Sequence, residues 1–352
     1  MFVALGLVAL LVITFYLLAV ICDEFFVESL DHISNRLKLS SDVAGATFMA
    51  MGSSAPELFT SLIAVFRAGG GHADVGAGTI VGSAIFNILV IIGASAAFKT
   101  AKLRWQPVVR DTLFYSLSIL LLLWAFWDAR IVLTEAVLFI ALYVAYLIAV
   151  VKWKKIFPYK DVDPIDIVEK ESKKSELARV SKRLLRWTIP DSQKYPDRYL
   201  ITFVMSIVWI AVLSFVLVES AVHLGEILHI NPTIIALTVL AAGTSIPDLL
   251  SSVIVAKRGR GDMAVSNAVG SNVFDILFGL GVPWTLVLVF QGGYVPVANE
   301  NLIGSVFLLF ATVVAVFFLL VLRRWRIGPR AGWLLIGLYL MYLAYKIVPL
   351  LL

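Results

Sequence analysis

Apolar residues fill this chain in runs of about twenty, the length at which a helix crosses the hydrocarbon core of a bilayer, and short polar stretches separate the runs. Ten such segments are expected, near 2 to 21, 42 to 67, 75 to 97, 108 to 127, 130 to 151, 199 to 219, 232 to 256, 263 to 289, 301 to 322 and 329 to 351. The pattern predicts an all-α polytopic membrane protein with ten transmembrane helices. No Lys or Arg precedes the first run and no small-residue cleavage site follows it, so it reads as a span rather than a signal peptide. Residues 152 to 198 form the one long polar stretch, with charges of both signs and several prolines. They predict a linker with an amphipathic helix, joining a first five-helix half, 1 to 151, to a second, 199 to 352.

Two of the apolar runs carry the same phrase. TFMAMGSSAPELFTS (47 to 61) aligns on TVLAAGTSIPDLLSS (238 to 252) with seven identities in fifteen, and GSAIFNIL (82 to 89) aligns on GSNVFDIL (270 to 277). Each copy takes in two adjacent spans, about 42 to 97 in one half and 232 to 289 in the other. Five spans separate the copies, an odd number, so they cross the membrane in opposite senses. Inverted repeats of this kind mark secondary transporters, whose site lies near the bilayer midplane.

Composition agrees with a membrane protein: of 352 residues, 60% are hydrophobic and 15% charged. The net charge of +5 points to no nucleic-acid partner, because its placement has another reading. Segments 22 to 40, 98 to 110, 152 to 198, 257 to 262 and 323 to 330 hold 26 of the 29 Lys and Arg residues, and with ten spans all five fall on one side. The positive-inside rule makes that side cytoplasmic, with both termini extracellular and the plasma membrane as the expected location. The lone Cys22 forms no internal disulfide.

Within the repeats sit residues unsuited to plain membrane helices. Pro56 and Pro247 lack the N–H that continues a helical ladder, and beside Gly52 and Gly243 each break is expected to release carbonyls from Ala50 and from Ala241 onward. Around the breaks stand Ser53, Ser54 and Glu57 in one copy and Thr244, Ser245 and Asp248 in the other. The companion helices add Ser83 with Asn87 and Ser271 with Asp275, each pair four residues apart and so on one face. Small hydroxyl residues also serve close helix packing, but a carboxylate at the bilayer centre costs at least about 2.5 kcal/mol. His32, His72, His223 and His229 are scattered, and an oxygen-only set suits calcium, sodium or potassium over zinc or copper. Glu57, Asp248 and Asp275 together balance one divalent and one monovalent cation. Asp275 stands where the first copy has the neutral Asn87, which assigns it to the monovalent ion.

GATFMAMGSSAPELFTSLIAVF, GTIVGSAIFNIL and LAAGTSIPDLLSSVIVAKRGRGDMAVSNAVGSNVFDILFGLGVPW closely resemble the two alpha repeats of the potassium-dependent sodium/calcium exchangers, in the cation/calcium exchanger superfamily. The resemblance implies that Glu57 and Asp248 ligate calcium and sodium. It implies further that Ser53, Ser54, Thr244, Ser245, Ser83, Asn87 and Ser271 contribute to those sites, and that Asp275 accompanies potassium dependence. The expected activity is exchange of external sodium for cytoplasmic calcium with potassium by alternating access. It needs the bilayer and inorganic cations as partners and no cofactor or enzymatic chemistry, and a single chain suffices, with a dimer left open. A potassium-independent or proton-coupled exchanger is the alternative. A channel is a weaker reading, because inverted repeats build one buried site within one chain.

Overall fold

With few polar side chains to compete for backbone groups and no water in a bilayer core, helix is the conformation that satisfies this chain's N–H and C=O groups internally. The computed structural model describes residues 2–36, 50–66, 73–98, 100–158, 176–190, 196–230, 232–257, 261–297 and 300–351. The start of the first repeat, 42 to 49, His72 and two stretches of the linker, 159 to 175 and 191 to 195, lie outside the described residues.

In chain order the helices are α1 (Phe2–Ile21), which runs through a wide π-turn, Cys22–Phe26, into α2 (Val27–Arg36), then α3 (Ala50–Ser53) and α4 (Ala55–Phe66). Next come α5 (Ala73–Phe86), widened at Asn87–Ile91 and continued by α6 (Ile92–Phe98), then α7 (Trp105–Ala125) and α8 (Leu133–Ile156). The linker contributes α9 (Glu176–Leu185) and the second half opens with α10 (Tyr199–Leu228). It continues with α11 (Pro232–Ile235), the π-turn Ala236–Leu240, α12 (Ala241–Thr244), α13 (Ile246–Lys257), α14 (Gly261–Leu277), α15 (Gly281–Gln291), α16 (Glu300–Leu322) and α17 (Pro329–Leu351).

Seven helical segments among the described residues are long and apolar enough to cross a membrane: Val3–Phe26, Ala73–Ala97, Trp105–Ala125, Leu133–Trp153, Tyr199–Leu228, Ala264–Gln291 and Leu302–Leu322. The second and seventh expected spans are not continuous helices. Each is split by one turn residue, Ser54 or Ser245, for the reason given by the prolines two positions on. Ala264–Gln291 also turns once, at Phe278 and Gly279, whose N–H groups both donate to the carbonyl of Phe274. The tenth expected span, α17, is one helix that carries Arg330 and Lys346 near its ends and is not one of the seven.

Among the described residues, buried apolar side chains form two clusters. One joins Leu11, Phe15, Leu18, Ile21 and Phe25 of the first helix to Ile210, Leu213, Leu217 and Val218 of α10. The larger gathers α5 to α8 with α14 to α17 around Phe126, Phe139, Phe274 and Trp284. The broken segments belong to both, with Ala55 and Leu240 in the first cluster and Met51, Leu58, Leu237 and Ala242 against the second. The described residues also form two short antiparallel strand pairs: β1 (Ala101–Lys102) with β4 (Arg326–Ile327), and β2 (Arg130–Ile131) with β3 (Val295–Pro296). Small residues let helices approach closely, as at Gly93, where an added Cβ would stand 2.9 Å from the carbonyl oxygen of Gly332.

Candidate cation site

The helix breaks are one residue wide. Ser54 donates its N–H to Ala50 O at 3.0 Å and accepts from Leu58 N at 3.1 Å; Ser245 donates to Ala241 O at 3.3 Å and accepts from Leu249 N at 3.0 Å. The carbonyls of Ala50 and Ala241, expected to be released, therefore stay in the helical ladder. A proline removes the donor to the carbonyl four residues back, which places the missing bonds at Gly52 and Gly243. The short break still turns the hydroxyls and the acidic residue of each copy into the protein interior. Ser54, Glu57, Thr244, Ser245 and Asp248 are fully buried and Ser53 nearly so, as are Ser83, Asn87, Ser271 and Asp275 on the companion helices α5 and α14.

These ten side chains come together across the repeats. Glu57 Oε1 accepts from Ser83 Oγ at 3.4 Å and from Ser245 Oγ at 3.1 Å, and those two hydroxyls are 2.7 Å apart. Asp248 Oδ1 accepts from Ser271 Oγ at 3.4 Å and Oδ2 from Asn87 Nδ2 at 3.5 Å, while Ser53 Oγ lies 3.5 Å from Ser271 Oγ. Each carboxylate thus meets the serine of its own companion helix and a polar side chain of the opposite copy. Thr244 stands beside Glu57, and its hydroxyl donates to Leu240 O at 3.0 Å. Ser54 points toward Asp275 without closing a hydrogen bond.

The network does not satisfy itself. Glu57 Oε2, both carboxyl oxygens of Asp275, Asn87 Oδ1 and Ser54 Oγ are buried with no hydrogen-bond partner. Buried polar atoms are paired in the great majority of cases, so five orphaned oxygens in one neighbourhood call for a ligand that accepts electron pairs. Among the described residues, no three Asp, Glu, His or Cys side chains close on one metal position. The donors are instead carboxylates dispersed among hydroxyls and an amide, a set suited to hard cations. The helix α1 reaches this place as well, since the ring of Phe15 fills the space where Gly243 would carry a side chain.

Two members of the network escape the residue-by-residue reading. Asn272 donates to Tyr115 OH at 2.9 Å and to Ala84 O at 3.2 Å, and its Oδ1 accepts from Asn87 Nδ2 at 2.9 Å. Its signal lies in the repeat alignment, where GSNVFDIL has an amide opposite Ala84 of GSAIFNIL. Tyr115 carries no such mark, being one tyrosine in an apolar helix.

A family model described as "Sodium/calcium exchanger protein" matches residues 7–152 and 198–348. The chain is 31% identical to human sodium/potassium/calcium exchanger 4, over 95% of this chain and 79% of that protein. It is 31% identical to mouse sodium/potassium/calcium exchanger 2 (95% and 76%) and 30% identical to chicken sodium/potassium/calcium exchanger 1 (95% and 77%). The fold is shared with the solved sodium-calcium exchanger NCX_Mj, with a TM-score of 0.61 at 24% identity over 97% of this chain and 99% of that one. These proteins are transporters rather than enzymes. With a family model covering both halves and relatives matched along nearly its whole length, this chain belongs to the sodium/calcium exchanger family.

Proposed function

We propose that the protein is a secondary active antiporter that exchanges sodium for calcium together with potassium by alternating access. Glu57 and Asp248 hold calcium or sodium at overlapping positions, assisted by Ser53, Ser54, Ser83, Thr244, Ser245, Ser271 and Asn87. Asp275 supplies the charge for potassium. The observation that carries this reading is the group of buried oxygens without partners, on Glu57, Asp275, Asn87 and Ser54. Carboxylates at membrane depth face a desolvation penalty, and direct contact with cations offsets it. Because sodium and calcium share ligands, occupation by one excludes the other, the condition for exchange.

The proposal includes ten spans in two inverted halves, with the termini outside and the 152–198 loop cytoplasmic. The strand pairs support that count. Connections after the third and ninth spans fall on one side by parity, and they hold β1 and β4, which pair with Ala101 opposite Ile327. Connections after the fourth and eighth spans fall on the other side, and they hold β2 and β3, with Arg130 opposite Pro296. A span miscounted between them would set paired strands about 30 Å apart across the hydrocarbon core. Exchanging the two halves also turns one strand pair into the other. The separate packing of α1 and α10 supports a moving pair of helices sliding past the site, since the two clusters meet along the broken segments.

Calcium uptake into proteoliposomes with imposed sodium and potassium gradients tests the reading. Saturating uptake that needs a counter-ion and vanishes in Glu57→Gln and Asp248→Asn is expected, whereas calcium flux without a counter-ion means a channel. Uptake indifferent to potassium selects the potassium-independent reading, which the relatives' names do not favour.

A further inference from the structure

The C-terminal part of the linker is fastened to the membrane-spanning helices at a definite level. Leu185 and Ile189 are buried in the cluster formed by α1 and α10. Lys182 pairs with Glu24, Ser181 Oγ donates to Tyr16 OH at 3.4 Å, Trp209 Nε1 donates to Thr188 Oγ1 at 2.9 Å, and Thr202 Oγ1 donates to Pro190 O at 2.8 Å. Tyr16 and Trp209 lie within apolar helices, and Glu24 marks where the first of them turns polar, so the segment sits where the headgroup layer of a bilayer must run.

Its opposite face is exposed and of mixed character. Arg183 and Arg186 are exposed, Leu184 is 67% exposed and Trp187 is 88% exposed. Water is a poor environment for adjacent Leu and Trp side chains, whereas a basic helix with Leu and Trp is suited to the membrane interface, and Trp prefers the headgroup level. Arginines beside them match anionic headgroups.

We propose that α9 and its last turn lie on the bilayer surface and bind anionic phospholipid, with Trp187 and Leu184 entering the headgroup boundary and Arg183 and Arg186 meeting the phosphates. Because Lys182 joins this segment to Glu24, a lipid-bound α9 is coupled to the first helix. The inference rests on the chain crossing a membrane and not on its ion chemistry, so it fails separately from the exchange reading.

The test uses the full chain in nanodiscs of phosphatidylcholine alone or with phosphatidylserine, carrying an environment-sensitive dye on Trp187→Cys or, with the tryptophan kept, on Leu184→Cys. The native Cys22 is buried, and a dye-treated unsubstituted chain controls for it. Phosphatidylserine should blue-shift the emission, expose the dye to lipid-borne quenchers and shield it from aqueous iodide. Arg183→Ala with Arg186→Ala should reverse that shielding, weakening the preference for phosphatidylserine roughly 30-fold, in line with the weight of two basic residues at a charged surface. Iodide quenching as strong as for free dye in both lipids, at both label positions, overturns the proposal. So does shielding that is equal without phosphatidylserine and indifferent to the arginines, which would mean that something other than anionic lipid covers the face.

Discussion

The two repeats share a phrase and a fold yet treat their polar groups differently. In the first, Asn87 is a neutral amide that donates to both Asp248 and Asn272. In the second, the corresponding Asp275 leaves both its oxygens without partners. The companion helices differ again one turn earlier, where Ala84 offers a carbonyl and Asn272 reaches across to it. At this pair of positions the first half therefore contributes a donor that ties the two copies together, and the second contributes a carboxylate with both oxygens unsatisfied. A duplicated framework supplies a carboxylate at each break, and the differences at Asn87/Asp275 and Ala84/Asn272 make the surroundings of the two carboxylates unlike.

The largest effect expected from disturbing this pair is at the shared positions. Glu57→Gln and Asp248→Asn should each reduce sodium-driven calcium uptake by at least about 100-fold, roughly 2.7 kcal/mol, as measured in proteoliposomes at matched protein incorporation. Equal loss from both marks the breaks as equivalent; survival of either one breaks the comparison. Asp275→Asn, which makes the second copy resemble the first, should remove the potassium dependence and leave calcium exchange in place. Calcium uptake that still rises with potassium in this variant would remove Asp275 from the potassium role.

A packing contrast comes next. A Cβ on Gly82 would stand 2.6 Å from Ala241 Cβ and closer still to the carbonyl of Leu237, while one on its counterpart Gly270 would meet only the Tyr146 hydroxyl, at 3.6 Å. Gly82→Ala should destabilise the fold by about 1–3 kcal/mol, as overpacking does, whereas Gly270→Ala, in a helix interior with room for the methyl, should be neutral or stabilising by up to about 1 kcal/mol. Thermal unfolding of both variants in detergent checks the difference. Asn272→Ala should cost about 1–3 kcal/mol, because it leaves the buried Tyr115 hydroxyl and Ala84 carbonyl without their amide partner. Combining it with Tyr115→Phe should add less than the sum of the two, since they share one bond.

Much of this was legible from residue order. Apolar runs gave the helices, because length and hydropathy alone decide whether a helix suits a bilayer, and the prolines located both interruptions. The repeat identified the ten polar side chains that the fold buries together. The width of the breaks was not legible: a proline deletes one donor, but how far a helix unwinds depends on what packs around it. With Ser54 and Ser245 still bonded on both sides, the carbonyls of Ala50 and Ala241 remain within the helices. Tyr115 was hidden for a related reason, as its hydroxyl gains meaning only beside Asn272, 157 residues away.

Local chemistry along the chain thus determined where the helices run, where they break and which acidic residues had to be sheltered from lipid, since those are properties of neighbours in sequence. Which carboxylate meets which hydroxyl, which oxygens stay unpaired and which glycine is crowded were decided by the tertiary structure alone. Those are relations between helices whose carboxylate and hydroxyl partners lie from 23 to 188 positions apart, and only close packing brings them within the few ångströms over which hydrogen bonds and excluded volume act.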